Sequence, residues 1–318
     1  MTRTASRLEP RALWRQWVPS LAVLVISAAC AEEAPQPTSD PSEPPREPEE
    51  ISVVPAEYAT EIAFVGFASE PLRLYARFVN KTTESELERD YGGWFESDGS
   101  WHRLEGLRDR LPVPRASWRV LPGGAWRVLA ADGGELAGLV YRDTLMEFRL
   151  SPGTLVAEWT GETGQREALL LARVQQGDSA QAGLLVLRRS ARVRNAGEAA
   201  AVSRTQLFLL VDSLSNGLLV ARDATDPDST AIAWTWVGSI GNEWTDVRVR
   251  PPPENVSAAL ARWVVELPEA GVTARFRLED LPDDGDSWLG PKPFALSGQL
   301  EILGRRRPAA GLGVESRG

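Results

Sequence analysis

Two neighbouring stretches decide the fold class: Arg262-Trp263-Val264-Val265-Glu266-Leu267-Pro268, and after it Val272-Thr273-Ala274-Arg275-Phe276-Arg277-Leu278. From Ala274 the second alternates apolar and polar residues, which puts one face of a strand in a core and the other in water. The first is rich in strand-forming residues and stops at a proline, which cannot donate to a ladder. Working outward, Trp244 to Arg250 precedes three prolines, and Phe294 to Leu303 and Gly311 to Ser316 complete the C-terminal third. Towards the N-terminus lie Leu72–Phe78, Trp118–Leu121, Trp126–Leu129 and Leu136–Tyr141, separated by Gly- and Asp-rich turns. Phe148–Leu150, Ser151-Pro152-Gly153 and Leu155–Trp159 read as a hairpin. Ala168–Val174, Ala182–Leu187, Gln206–Val211 and Leu218–Ala221 follow, with Ser215-Asn216-Gly217 as a turn signal. The spacing is close to the about 8–12 residues of a meandering β protein.

One helix is predicted, where Thr83-Glu84-Ser85-Glu86 fits a capping box, Leu87 to Tyr91 continues it and Gly92 ends it. A second short helix is placed within Arg103–Arg110. Strands never alternate with long helices, which excludes a parallel α/β sheet. The expected fold is all-β and antiparallel: two packed barrel-like or sandwich units, residues 51–175 and 176–318, with one or two short helices. Leu139-Val140-Tyr141-Arg142-Asp143 echoes Leu219-Val220-Ala221-Arg222-Asp223, which reads either as tandem duplication or as chance.

The N-terminus reads as an address. Arg3, Arg7, Arg11 and Arg15 precede Leu21-Ala22-Val23-Leu24-Val25-Ile26 and then Ser27-Ala28-Ala29-Cys30, the build of a secretory signal over 1–29. The uncharged stretch holds Pro19 and is short of the roughly 20 apolar residues a membrane span needs. Residues 31–50, AEEAPQPTSDPSEPPREPEE, carry nothing apolar larger than Ala or Pro. Such a segment cannot offset its ordering entropy, so 30–50 is expected to be an extended, disordered acidic tether.

Of 318 residues, 25% are charged and 43% hydrophobic, which is ordinary globular composition. Lys+Arg number 35 and Asp+Glu 44, giving a net charge of −9 and a pI near 5.0, unlike a nucleic-acid binder. One Cys and one His exclude internal disulfides, thiolate zinc sites, iron–sulfur clusters and multi-histidine metal centres. No GxxxxGK[ST] stands in the chain, and no helix follows Gly311-Leu312-Gly313, so no nucleotide cofactor is expected. His102 is the sole imidazole for a serine triad, yet no GxSxG elbow accompanies it, so no residue is read as catalytic. Asp223, Asp226 and Asp228, like Asp283, Asp284 and Asp286, lack EF-hand spacing and read as solvated turns rather than a metal site. Arg305-Arg306-Arg307 reads as an exposed turn or as a contact to an anionic surface.

Tryptophan is the unusual feature, with twelve in the chain. Trp234 and Trp236 share one face of a strand. Trp94, Trp101, His102, Trp234, Trp236 and Trp244 are the candidate ligand-lining residues. Bulky core filling is the competing reading of the same indoles.

Two resemblances add to this. Ser27-Ala28-Ala29-Cys30 resembles the lipobox of bacterial lipoproteins, with Ser27 in place of the usual Leu. It implies that Cys30 becomes the lipidated first mature residue. Ala31, where Asp would signal inner-membrane retention, implies an outer-membrane anchor facing the periplasm. Trp263-Val264-Val265-Glu266-Leu267-Pro268, Gly298-Gln299-Leu300-Glu301-Ile302-Leu303-Gly304 and Arg307-Pro308-Ala309-Ala310-Gly311-Leu312-Gly313-Val314-Glu315 resemble the C-terminal part of the lipocalin-like family related to carotenoid hydratase and AttH. That implies two packed lipocalin-like units. Leu296-Ser297 replaces the family's aromatic–acid pair, so the fold carries over and the family's chemistry does not.

The expected function is that of a lipid-anchored bacterial envelope protein holding an apolar or amphipathic small molecule, or a protein partner, in an aromatic-lined β cavity. Two alternatives stay open: a hydratase- or isomerase-type enzyme using a buried Asp or Glu, and a carbohydrate-binding envelope module. A buried acid facing an apolar cavity favours the enzyme, exposed coplanar Trp rings favour sugar, and a filled core favours a scaffold.

Overall fold

Alternating side chains along nearly every described segment produce strands. The computed structural model describes residues 56–68, 70–83, 85–112, 123–130, 136–160, 166–193, 204–223, 231–257, 260–281 and 293–317. The signal segment, Cys30, the tether, the expected strand at Trp118, both acidic clusters beyond Asp223, and Trp288 lie outside these residues. The first nine strands are β1 (Ala56–Gly66), β2 (Arg73–Thr82), β3 (Glu86–Ser97), β4 (Ser100–Pro112), β5 (Trp126–Ala130), β6 (Leu136–Arg142), β7 (Glu147–Thr160), β8 (Arg166–Gln176) and β9 (Ser179–Val193). The second nine are β10 (Arg204–Asp212), β11 (Gly217–Asp223), β12 (Ile232–Val237), β13 (Ile240–Trp244), β14 (Arg248–Arg250), β15 (Trp263–Leu267), β16 (Val272–Asp280), β17 (Pro293–Ile302) and β18 (Arg305–Arg317).

They form two antiparallel nine-stranded sheets, ordered β4-β3-β2-β1-β9-β8-β7-β6-β5 and β13-β12-β11-β10-β18-β17-β16-β15-β14. The connectivity is the same twice, with the first strand of each set central and paired to the last. The division therefore falls after Val193, not at 175/176, because β8 and β9 pair with each other and β9 pairs with β1. The echo does not mark this repeat. Leu139–Asp143 starts on β6, whose counterpart is β15, whereas Leu219–Asp223 lies on β11, the counterpart of β2.

Both sheets curl. Phe95 on β3 stacks on Phe148 of β7 at 4.6 Å, although five strand spacings of about 4.8 Å separate these strands in a flat sheet. Phe78 on β2 likewise meets Trp126 of β5 at 5.1 Å, and Phe208 on β10 meets Trp263 of β15 at 5.2 Å. Each half-barrel thus has its own apolar interior, filled by such rings. In the first, the gap between β4 and β5 is clasped by side chains. Trp126 Nε1 donates to the Glu105 carbonyl at 2.9 Å. The Tyr141 hydroxyl accepts from Glu105 N–H at 2.6 Å and donates to Asp143 at 2.5 Å. Tyr141→Phe should lower stability by about 1–2 kcal/mol through the stranded Glu105 N–H, read as a fall in the urea midpoint at unchanged m-value.

The two expected helices are strands. Thr83 Oγ1 does accept from Glu86 N–H at 3.0 Å, as an N-cap would, but Thr83 N–H also bonds the Glu86 carbonyl at 2.8 Å and closes a hairpin. Leu87, Arg89 and Tyr91 are then buried in alternation, which is strand periodicity. Arg103–Arg110 belongs to β4. Nor do Ser151-Pro152-Gly153 turn the chain. They lie inside β7, where the register to β8 slips between Pro152 and Leu155, so the proline sits at a bulge. Arg305–Arg307 already belong to β18, and the turn is Leu303-Gly304.

Buried Arg89 is held by Asp109 at 2.8 and 2.6 Å. The hydrogen bonds from Arg89 hold the Asp109 carboxyl below the ordinary Asp range. A depressed folded-state value contributes stability above the unfolded value, about pH 4, and loses it as pH falls through the folded one. Asp109→Asn should therefore be less stable than the natural chain at neutral pH. Its unfolding midpoint should fall less steeply on acidification below about pH 4.

Candidate functional site at the seam between the sheets

The outer faces of the two half-barrels meet. Strand alternation puts Glu61, Ala63 and Val65 of β1, Arg73, Tyr75 and Arg77 of β2, and Val186 and Arg188 of β9 on the outer face of the first sheet. Opposite them stand Leu207, Leu209 and Val211 of β10, Leu219 of β11, Trp234 of β12, and Leu312 and Val314 of β18. The seam is apolar at its centre and carries two groups of charged residues.

The first group is an ion-pair chain. Arg188 reaches Glu61 at 3.1 Å and Glu167 at 2.9 Å, and Arg77 pairs with Glu61 at 3.3 Å. The Arg188 side chain is 5% exposed and that of Glu167 only 1%. Burial pulls the Arg188 guanidinium down, but Glu61 and Glu167 outweigh it and the net shift is upward. Trp159 Nε1 donates to the other Glu167 oxygen at 2.6 Å, and its ring stacks on Trp234 at 3.9 Å. Trp234 Nε1 in turn donates to Glu243 at 3.2 Å.

The second group is a square of four residues on β2 and β3. Arg73 faces Glu96 and Tyr75 faces Trp94 across the ladder. Arg73 Nε stands 3.2 Å from Glu96 Oε2, an ion pair too poorly aligned for a hydrogen bond. The Tyr75 hydroxyl, Trp94 Nε1, Arg73 Nε and Glu96 Oε2 are all buried without a hydrogen-bond partner among the described residues. Burial, then Glu61, pushes the Tyr75 phenol well up, so it stays protonated. Burial raises the Glu96 carboxyl against the pull of Arg73, and Glu279 of β16 adds to the rise. Burial lowers the Arg73 guanidinium, whose face lies 5.8 Å from the Trp101 ring.

Tyr75 and Glu61 both line a void of about 10 Å³ between the sheets, walled by Ala63, Val186, Leu207 and Leu312. That is room for one water. Among the described residues no three His, Cys, Asp or Glu side chains converge as metal ligands.

The structure brings four of the six candidate lining residues to this seam. Trp94 and Trp234 are buried there, and Trp101 and Trp236 pack at its edge. Trp244 turns to the inner face of the second sheet, where Nε1 donates to Thr235 Oγ1 at 2.8 Å. His102 is exposed on β4, outside the seam. Of the eight described indoles three are buried and five half-buried, and none is fully exposed. Sequence reasoning missed Glu61, Arg73, Tyr75, Glu96, Glu167 and Arg188. The available signal was a charged residue in phase with the buried positions of its strand, as Arg188 is with Leu184 and Val186.

No protein-family model and no curated protein sequence matches the chain. Among solved structures, the chain is similar to kievitone hydratase from Nectria haematococca at 11% identity. That match has a TM-score of 0.50 and covers 84% of this chain and 90% of that one. A putative AttH from Nitrosomonas europaea is 12% identical over 87% of this chain and 98% of its own, at TM-score 0.47. CghA, solved with Sch210972, is 10% identical over 83% and 88%, at TM-score 0.42. The first of these establishes a shared lipocalin-like fold of two units.

Proposed function

We propose that this chain is a lipid-anchored envelope protein that binds a small amphipathic molecule in the seam between its two sheets. Four buried polar atoms without a hydrogen bond in one square of side chains carry this reading: the Tyr75 hydroxyl and Trp94 Nε1, and Arg73 Nε and Glu96 Oε2, which meet only as an ion pair. Leaving a buried donor or acceptor unmet costs about 1–3 kcal/mol each, and such groups call for a binding or catalytic explanation. Tyr75, Trp94 and Arg73 present N–H and O–H donors, and Glu96 presents an acceptor. An oxygenated ligand with an apolar body matches them, its carbons lying on Ala63, Leu207 and Leu312. It enters by displacing the half-buried Trp101 at the rim, because the closed seam holds only a water. Cys30 and the acidic segment after it supply the membrane attachment.

Native mass spectrometry of the detergent-solubilised full chain tests the binding. A co-purified small molecule that is lost in Tyr75→Phe and Trp94→Phe supports it. An unliganded mass in every preparation overturns it. Release of the chain from membranes by Cys30→Ser is the matching test of the anchor.

A second reading has its own support. Glu96, whose carboxyl is raised by burial, stands beside the Tyr75 phenol in one buried site, which places an acid and a hydroxyl where an apolar substrate could be protonated. The fold is also that of a hydratase. On this reading Glu96→Gln retains the ligand and abolishes its conversion.

A further inference from the structure

Beyond the seam, on the same outer face, Lys81 of β2 and Glu88 of β3 stand directly opposite each other in the ladder. Opposite charges in that register ordinarily close on one another. Here neither side chain forms an ion pair or hydrogen bond with any described residue. They line instead a pocket of about 140 Å³ with Arg77, Val79, Asp90 and Arg108. That is roughly ten times the ~10–15 Å³ that one water needs. The other three charges are already engaged: Arg77 with Glu61 at 3.3 Å, and Arg108 with Asp90 at 3.4 Å. Val79 is buried and supplies an apolar floor. Lys81 is also one of only two lysines among 35 cationic residues. Its compact ammonium meets an anion as a point charge, unlike the planar fork used elsewhere in the chain.

We infer that this pocket binds a small zwitterion: an ammonium group and a carboxylate or phosphate joined by a short carbon chain. The anionic end sits on Lys81 with Arg77 behind it, the ammonium on Glu88 with Asp90 behind it, and the carbons on Val79. Each free charge then gains a partner that its cross-strand neighbour does not provide. A free amino acid and the head group of an ethanolamine phospholipid share this chemistry. The inference stands apart from the seam reading, since neither Lys81 nor Glu88 belongs to that site.

Calorimetric titration of the full chain in non-ionic detergent tests it with L-alanine, O-phosphoethanolamine and, in the same micelles, lysophosphatidylethanolamine. At least one should bind saturably in the millimolar range or tighter. Lys81→Met and Glu88→Gln should each weaken it about tenfold, with unchanged thermal midpoints, and added salt should weaken it further. Binding of the two soluble probes identifies a free zwitterion as the ligand, and binding of the lysolipid alone identifies a head group. No binding by any probe up to ~10 mM overturns the inference. So does equal binding by both variants, or binding of acetate or ethylammonium as tight as that of L-alanine.

Discussion

Replacing Arg188 by methionine is expected to lower the stability of the folded chain by about 3–5 kcal/mol. The guanidinium bonds two carboxylates, Glu61 and Glu167, whose side chains are 11% and 1% exposed. Methionine keeps the volume but removes the cation the two carboxylates share, leaving Glu61 to Arg77 and Glu167 to the Trp159 indole. The cost is that of two buried carboxylates left with less compensating positive charge, not of the ion pair as such. The triple variant Arg188→Met, Glu61→Gln, Glu167→Gln should therefore recover most of the loss. Urea unfolding at neutral pH reads both effects. A loss under about 1 kcal/mol for Arg188→Met alone would mean that solvent reaches the cluster.

Gly311→Ala should be as damaging or worse. A Cβ there would lie 1.9 Å from the Leu209 carbonyl oxygen and 3.0 Å from the Leu210 Cα. Both are backbone atoms of β10 and have no rotamer to yield. β18 would have to leave β10, the central pairing of the second sheet and the one that carries Leu207, Leu209 and Leu312 to the seam. A loss of about 3 kcal/mol or more is expected, as for severe overpacking. Gly106→Ala is the control. Its nearest neighbour would be the Tyr91 carbonyl at 3.6 Å, an ordinary contact, so its stability in urea unfolding should change by no more than about 0.5 kcal/mol.

What could be read from the chain follows how local each determinant is. Alternation at Ala274–Leu278 belongs to a single strand, and β16 forms there. The helix expected at Thr83–Tyr91 fails because one hydrogen bond, Thr83 Oγ1 to Glu86 N–H, serves an N-cap and a hairpin turn equally well. Only the burial of Leu87, Arg89 and Tyr91 in alternation separates the two, and that comes from β2 and β4 on either side. The repeat lies in strand connectivity and not in the Leu139–Asp143 and Leu219–Asp223 side chains. At the site, Trp94 and Trp234 stood out by size alone. Glu61 and Arg188 did not, because their pairing spans 127 residues and exists only once β9 lies beside β1. The vacant polar atoms of Tyr75 and Trp94 are likewise properties of two sheets in contact, which no single segment encodes.

Far-ultraviolet circular dichroism of Trp159→Phe and Trp234→Phe tests the back-to-back seam most directly. These indoles come from different half-barrels and stack at 3.9 Å with 23° between their planes, so their transitions must couple. An exciton couplet is predicted in the natural chain, abolished equally by either substitution and unchanged further in the double variant. Two small, additive difference spectra with no couplet would contradict the stack, and with it the apposition that brings the candidate site together.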